Sequence, residues 1–228
     1  MTRAAEPAPP PTQAPAPPLS STEPAIPGAS QRTLWNAFRY AWAGLLYTAV
    51  KQRNMKLHIV AGLMVGLVGS GMPLGLAEKV TLIFCVMLVL FAEILNAALE
   101  ALVDLYTERF HERAQVAKDT AAGGVLVLAI GTVVIFAALI VHNWPTVLAS
   151  GELILRQVAL GGPLTAVTAL LLWSRRRSQL ADHLLFLVGT ALLAVLASHT
   201  TSVVFTTLSA ALFALARVVA RANERPES

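Results

Sequence analysis

Apolar side chains recur at helical spacing from residue 34 almost to the end of the chain, interrupted by short clusters of Gly, Pro, Ser and charge. Leu34, Trp35, Phe38, Trp42, Leu45 and Leu46 fall on one face, with Arg39 and Lys51 elsewhere on the wheel. This predicts an amphipathic helix within Gln31 to Arg53, lying in the headgroup region. A first membrane helix is expected from Leu57 to Met72, ended by Ser70-Gly71-Met72-Pro73-Leu74-Gly75. Its Gly62 and Gly66 form a small-xxx-small pair that lets another helix approach closely. A second span runs from Ala77 to Tyr106, a polar link covers Thr107 to Thr120, and a third span follows from Ala121 to Val141. His142-Asn143-Trp144-Pro145 closes it at an interface. Three further apolar stretches follow. They are Leu153 to Trp173, broken by Gly161-Gly162-Pro163; Leu184 to Ala197, short for a crossing; and Val203 to Ala220.

The second span departs from the apolar pattern in a specific way. Val80 to Phe91 is nearly pure hydrocarbon, and then Glu93, Asn96, Glu100 and Asp104 appear before the helix ends. At 100° per residue, Glu100 and Asp104 lie about 20° to either side of Glu93, and Asn96 about 60° off it. One helix thus presents three carboxylates and an amide along roughly 16 Å. Acids that have simply reached water would account for Asp104 and Glu100. They account poorly for Glu93, because a central membrane carboxylate costs on the order of 3 kcal/mol.

Composition agrees with this topology. Hydrophobic residues make up 56% of the 228 and charged ones 13%, with mean hydropathy +0.65. That excludes an ordinary soluble domain and indicates an all-α, polytopic membrane bundle. The residues before about 30 hold most of the thirteen prolines and are expected to form a disordered tail without a signal peptide. With the N-terminus inside, all of the 17 Lys and Arg except Lys79 and Arg156 fall on the cytoplasmic side. This bias predicts an even number of spans and places the acid-bearing end of the second helix at the cytoplasmic face. The net charge of +4 is spread over helix ends and is no nucleic-acid signature. Cys85 cannot form an internal disulfide and reads as a small core residue.

A partly buried carboxylate makes a usable general base for an alcohol. Further carboxylates and an amide on the same face offer hard oxygen ligands for Mg²⁺. Lys118-Asp119 in the following link adds a cation beside an acid. These are parts that phosphoryl transfer needs, although proton and ion pathways use similar intramembrane acids. There is no P-loop, no Gly-x-Gly-x-x-Gly, no His-Glu-x-x-His and no Cys/His cluster.

The run Glu93-Ile94-Leu95-Asn96-Ala97-Ala98-Leu99-Glu100-Ala101-Leu102-Val103-Asp104 is followed by His111, Ala117-Lys118-Asp119 and Ala121-Ala122-Gly123. Together these resemble the signature of the prokaryotic diacylglycerol kinase/undecaprenol kinase family. Phe38 to Leu45 resembles its surface helix and Asn54 to His58 the start of its first span, so the likeness covers Leu34 to Val141. The resemblance implies a homotrimeric kinase of the bacterial inner membrane, with a surface helix and a three-span core per protomer. It would transfer phosphate from MgATP to the hydroxyl of diacylglycerol or undecaprenol at the cytoplasmic interface. By position, Glu93 would be the general base and Asn96 an active-site hydrogen-bonding partner, while Glu100 would hold the metal. Lys118 and Asp119 would engage the nucleotide, Tyr40 would lie near the adenine, and Asp104 would support the site. Where the family has a second metal-binding glutamate, this chain has Gln52. An amide oxygen binds Mg²⁺ without bringing negative charge.

The resulting organisation is a tail over 1–30, a lipid kinase domain over 31–145, and a helical membrane extension of unassigned role over 146–228. A degenerate kinase kept as a membrane scaffold is the alternative reading. Ser198-His199-Thr200-Thr201-Ser202 is similar to one motif of membrane lipid phosphatases. The Lys/Arg-rich and Arg-His motifs that would support such an activity are missing. Arg175-Arg176-Arg177 reads as a topology signal and His111 as a solvated residue. Asp182 and His183 have no evident partner in the sequence.

Overall fold

A computed structural model describes residues 33–107, 111–173, 178–200 and 202–223. The tail, Arg175 to Arg177 and Thr201 lie outside the described residues. Among the described residues eight helices run in order: α1 (Leu34–Lys51), α2 (Arg53–Ser70), α3 (Leu76–Tyr106), α4 (Glu112–His142), α5 (Trp144–Ala149), α6 (Gly151–Trp173), α7 (Gln179–Ser198) and α8 (Val203–Asn223). No strand occurs among the described residues. The chain divides within α1 into two units, Met1–Arg39 and Tyr40–Ser228. In the first, Trp35 and Phe38 stack with ring centroids 6.1 Å apart. All that follows concerns the second.

Among the described residues, five helices are long and apolar enough to cross a membrane, α3, α4, α6, α7 and α8, against the even number expected from the charge count. The expected first span, α2, is not one of them, because Arg53, Lys56 and His58 occupy its first two turns. Two boundaries also differ from the pattern-based expectation. The supposed polar link is helical from Glu112, so Lys118 and Asp119 sit on α4. His111 caps that helix, its Nδ1 accepting the Arg113 N–H at 3.2 Å, and Gln115 bonds to Asp119 one turn on. Local capping and spacing-of-four pairs thus carry the helix into polar sequence. The second difference is α6, which continues unbroken through Pro163. Packing holds this helix on both sides of the proline, with Gly161 against Leu67 and Leu164 fully buried. Neighbouring helices commonly sustain a proline-bearing membrane helix in this way.

The bundle is organised on the glycines of α2. A Cβ at Gly62 would come 2.7 Å from Val86 Cγ1 of α3 and 3.2 Å from Leu212 Cδ1 of α8. One at Gly66 would meet Ser209 Oγ at 2.8 Å, and one at Gly69 the Phe205 ring at 2.7 Å. The close approach expected from Gly62 and Gly66 is therefore real, and the principal partner is α8. Between helices surrounded by lipid tails, such close contact supplies the attraction that water would otherwise provide. Met55, Ile59 and Leu63 of α2 share a core with Val86 and Leu90 of α3, Leu164 and Leu171 of α6, and Leu212 and Ala216 of α8.

At the other side of α8, Phe213 stacks on Phe186 of α7 at 5.6 Å and Arg217 lies 5.4 Å over the same ring. Arg217 and Asp182 are both buried, and Asp182 Oδ1 and the three guanidinium nitrogens of Arg217 have no hydrogen-bond partner. Glu78 at the start of α3 accepts the Gly75 N–H at 2.7 Å and the Asn143 amide at 2.6 Å, tying α3 to the end of α4.

Candidate active site

The acid-bearing helix buries one face: Leu82, Cys85, Val86, Val89, Leu90, Glu93, Asn96 and Ala97. Glu93 and Asn96 belong to it by spacing alone, continuing the stripe that packs toward α2 and α8. Glu93 is 1% exposed, and neither carboxylate oxygen has a hydrogen-bond partner. A bare buried carboxylate is costly, and such orphaned groups mark sites where a proton or a ligand completes the set.

One turn beyond Asn96 the polar groups converge. Glu100 is half-buried and accepts two amide N–H groups, from Gln52 Nε2 at 2.8 Å and Asn96 Nδ2 at 3.0 Å. Gln52 is brought there by the break between α1 and α2. Its extended backbone (φ −85°, ψ 121°) ends one helix and starts the next, and its side chain does not cap α2. The amide is therefore free to reach across to α3. Asn96 Oδ1 is also buried without a partner.

A turn further, Asp104 pairs with Lys118 Nζ of α4 at 2.5 Å. The Asp104 side chain is 65% exposed, so the pair contributes at most about 1 kcal/mol of stability. It does hold the Lys118 ammonium beside the acid ladder. Asp119 is exposed and accepts both bonds from Gln115 Nε2, at 2.9 and 3.1 Å. Gln115 is not among the residues expected above, and its spacing of four from Asp119 is the signal that marks it. Tyr40 is exposed, and among the described residues no hydrogen bond joins it to the other seven.

The structure thus joins Gln52, Asn96 and Glu100 in one cluster, places Asp104 with Lys118, and sets Glu93 a turn below in the apolar layer. Next to Glu93 along α3, Val86 and Val89 line a cavity of about 180 Å³ with Gly62, Ala129, Thr132 and Phe136. It is almost wholly apolar, and His58 stands at its edge.

Among the described residues no group of three His, Cys, Asp or Glu side chains could hold a metal unaided. One carboxylate with two amides nevertheless fits Mg²⁺, which typically takes one or two carboxylates and keeps substrate phosphates and water as its other ligands. Both amides present their N–H groups to Glu100 here, so their oxygens would join such an ion only after the amides turn.

The chain matches the family described as prokaryotic diacylglycerol kinase over residues 39–140. It is 39% identical over 138 residues to a diacylglycerol kinase of Synechocystis sp., covering 55% of this chain and 79% of that protein. An undecaprenol kinase of Bacillus subtilis is 34% identical, over 42% of this chain and 78% of its own length. A diacylglycerol kinase of Escherichia coli is 33% identical, over 44% and 83% respectively. No solved structure matches the chain.

Proposed function

The chain belongs to the prokaryotic diacylglycerol kinase family, and from that premise we propose that it transfers the γ-phosphate of MgATP to the hydroxyl of a membrane lipid at the cytoplasmic interface. The lipid is diacylglycerol or undecaprenol, the substrates named for its relatives. The single observation that carries this reading is the Gln52–Glu100–Asn96 cluster lying one turn from a buried, unpartnered Glu93. A base in the apolar layer and metal ligands nearer water are the order that a lipid alcohol and a charged nucleotide require.

In this reading the apolar cavity beside Val86 and Val89 receives part of the lipid chain, with the hydroxyl directed toward Glu93. Glu93 takes the proton from the hydroxyl as the lipid oxygen bonds to the γ-phosphorus, the bond to the bridging oxygen breaks and ADP leaves. Asn96, in contact with Glu100 and one turn from Glu93, fixes the position of the reacting group. Glu100, with the amide oxygens of Gln52 and Asn96, would hold Mg²⁺. Bound there with the nucleotide, the ion supplies charge neutralisation on the transferring phosphate. Lys118, steadied by Asp104, and Asp119, steadied by Gln115, meet the nucleotide from α4. Tyr40 lies near the adenine. The positive-inside count supports a site that faces the cytoplasm, and the family resemblance supports a trimer in the bacterial inner membrane.

The direct test is transfer of label from γ-³²P-ATP by purified protein in vesicles, offering diacylglycerol and undecaprenol side by side with and without Mg²⁺. Failure to label either lipid would overturn the assignment. Gln52 gives a sharper prediction. Gln52→Glu places two carboxylates face to face where an amide now donates at 2.8 Å. The metal then gains a charged ligand, and the Mg²⁺ concentration for half-maximal activity should fall about tenfold, each factor of ten being about 1.4 kcal/mol. A magnesium titration of both proteins checks it. A sharp rise in turnover at saturating Mg²⁺ would identify the natural chain as a weakened kinase.

A further inference from the structure

The kinase reading leaves α6 to α8 without a role, and the packing of α8 points to one for that helix. The pairs Gly62–Leu212, Gly66–Ser209 and Gly69–Phe205 set α8 antiparallel in the groove of α2. Extending that register toward the C-terminus brings Ala216 level with Ile59 and Ala220 level with Met55. All four are 0–1% exposed and lie in one core. Alanine at both α8 positions lets the two helices stay close through the first turns of α2. Those turns begin at Gln52, whose amide must reach Glu100. The same core contains Val86 and Leu90, on the face of α3 that carries Glu93.

We propose that α8 is a built-in brace for the site: it positions α2, and through it Gln52, in register with Glu100. Ala216 and Ala220 are positioning residues, and the extension is part of the catalytic unit. This rests on the kinase reading, and the same packing is present whether or not the chain is active.

The test uses the full-length protein. Ala216→Leu forces a larger side chain between α8 and the first turns of α2. It should lower kcat about 10- to 100-fold, the scale expected when reacting groups are displaced by an ångström or less. Ile59→Ala in the same chain restores volume opposite the new leucine and should recover most of the loss. Gly69→Ala is the control: its Cβ meets the Phe205 ring at the far end of the same helix pair. It should lower the thermal midpoint while leaving kcat within about twofold. Three results would overturn the brace: unchanged kcat in Ala216→Leu, no recovery in the double variant, or loss of kcat by Gly69→Ala in proportion to its loss of stability. Parent protein that labels no lipid would instead reject the kinase reading. Ala216→Leu would then still be read by cysteine cross-linking between positions 52 and 100, introduced as Gln52→Cys and Glu100→Cys. Cross-linking as efficient with leucine at 216 as with alanine would refute the brace.

Discussion

If Glu93 is the base as proposed, Glu93→Gln should lower kcat for lipid phosphorylation by about 10²–10⁴, the range set by loss of a positioned general base. The substitution keeps the shape and leaves a neutral, isosteric group in the same buried place, so the thermal midpoint should hold or rise. Glu93 is 1% exposed and neither oxygen has a partner, so removing its charge relieves a folding cost. The KM for ATP should change little, because the groups proposed to meet the nucleotide lie a turn or more away on α3 and on α4. Steady-state kinetics with parallel thermal unfolding decides the matter. An undiminished kcat would exclude Glu93 as the base, and a fall in both kcat and stability would mark it as a structural acid.

Glu100→Ala should lower kcat by on the order of 10²–10³, as found when a group stabilising transition-state charge is removed. Here the effect has two sources. A metal held as proposed would lose its only charged ligand in the cluster, and the Gln52 and Asn96 amides lose the acceptor they share. A polar group left unmatched in a partly buried place costs roughly 1–3 kcal/mol, so this variant should also unfold at lower temperature. Raising Mg²⁺ should recover activity only in part. Full activity at ordinary Mg²⁺ would remove Glu100 from the site. The contrast with Glu93→Gln is the informative feature, since one substitution costs activity alone and the other costs activity and stability.

Much of the site is legible in the sequence because it lies on one helix. Glu93, Asn96, Glu100 and Asp104 share a face by spacing alone, and the structure retains that face. Gln52 is different. Its contact with Glu100 joins residues 48 apart and depends on an extended residue between α1 and α2, which no periodicity reveals. The helical start of α4 was hidden in a similar way. Polar composition reads as a link, yet the His111 cap and the Gln115–Asp119 pair make it helical. Pro163 looks like a break in isolation and is not one, because the helices around it hold α6 on both sides.

The sequence by itself determined that this is an all-helical membrane chain and that one of its helices carries acids on a single face. Both follow from patterns along the chain, namely apolar runs long enough to cross a bilayer and a repeat of 3.6 residues. The tertiary structure alone decided what meets that face. Gly62, Gly66 and Gly69 advertise that some helix comes close without saying which one. The choice of α8 depends on the fit of Leu212, Ser209 and Phe205 to a groove formed far away in sequence. Shape complementarity between surfaces is a property of the pair, and no pattern within either helix contains it.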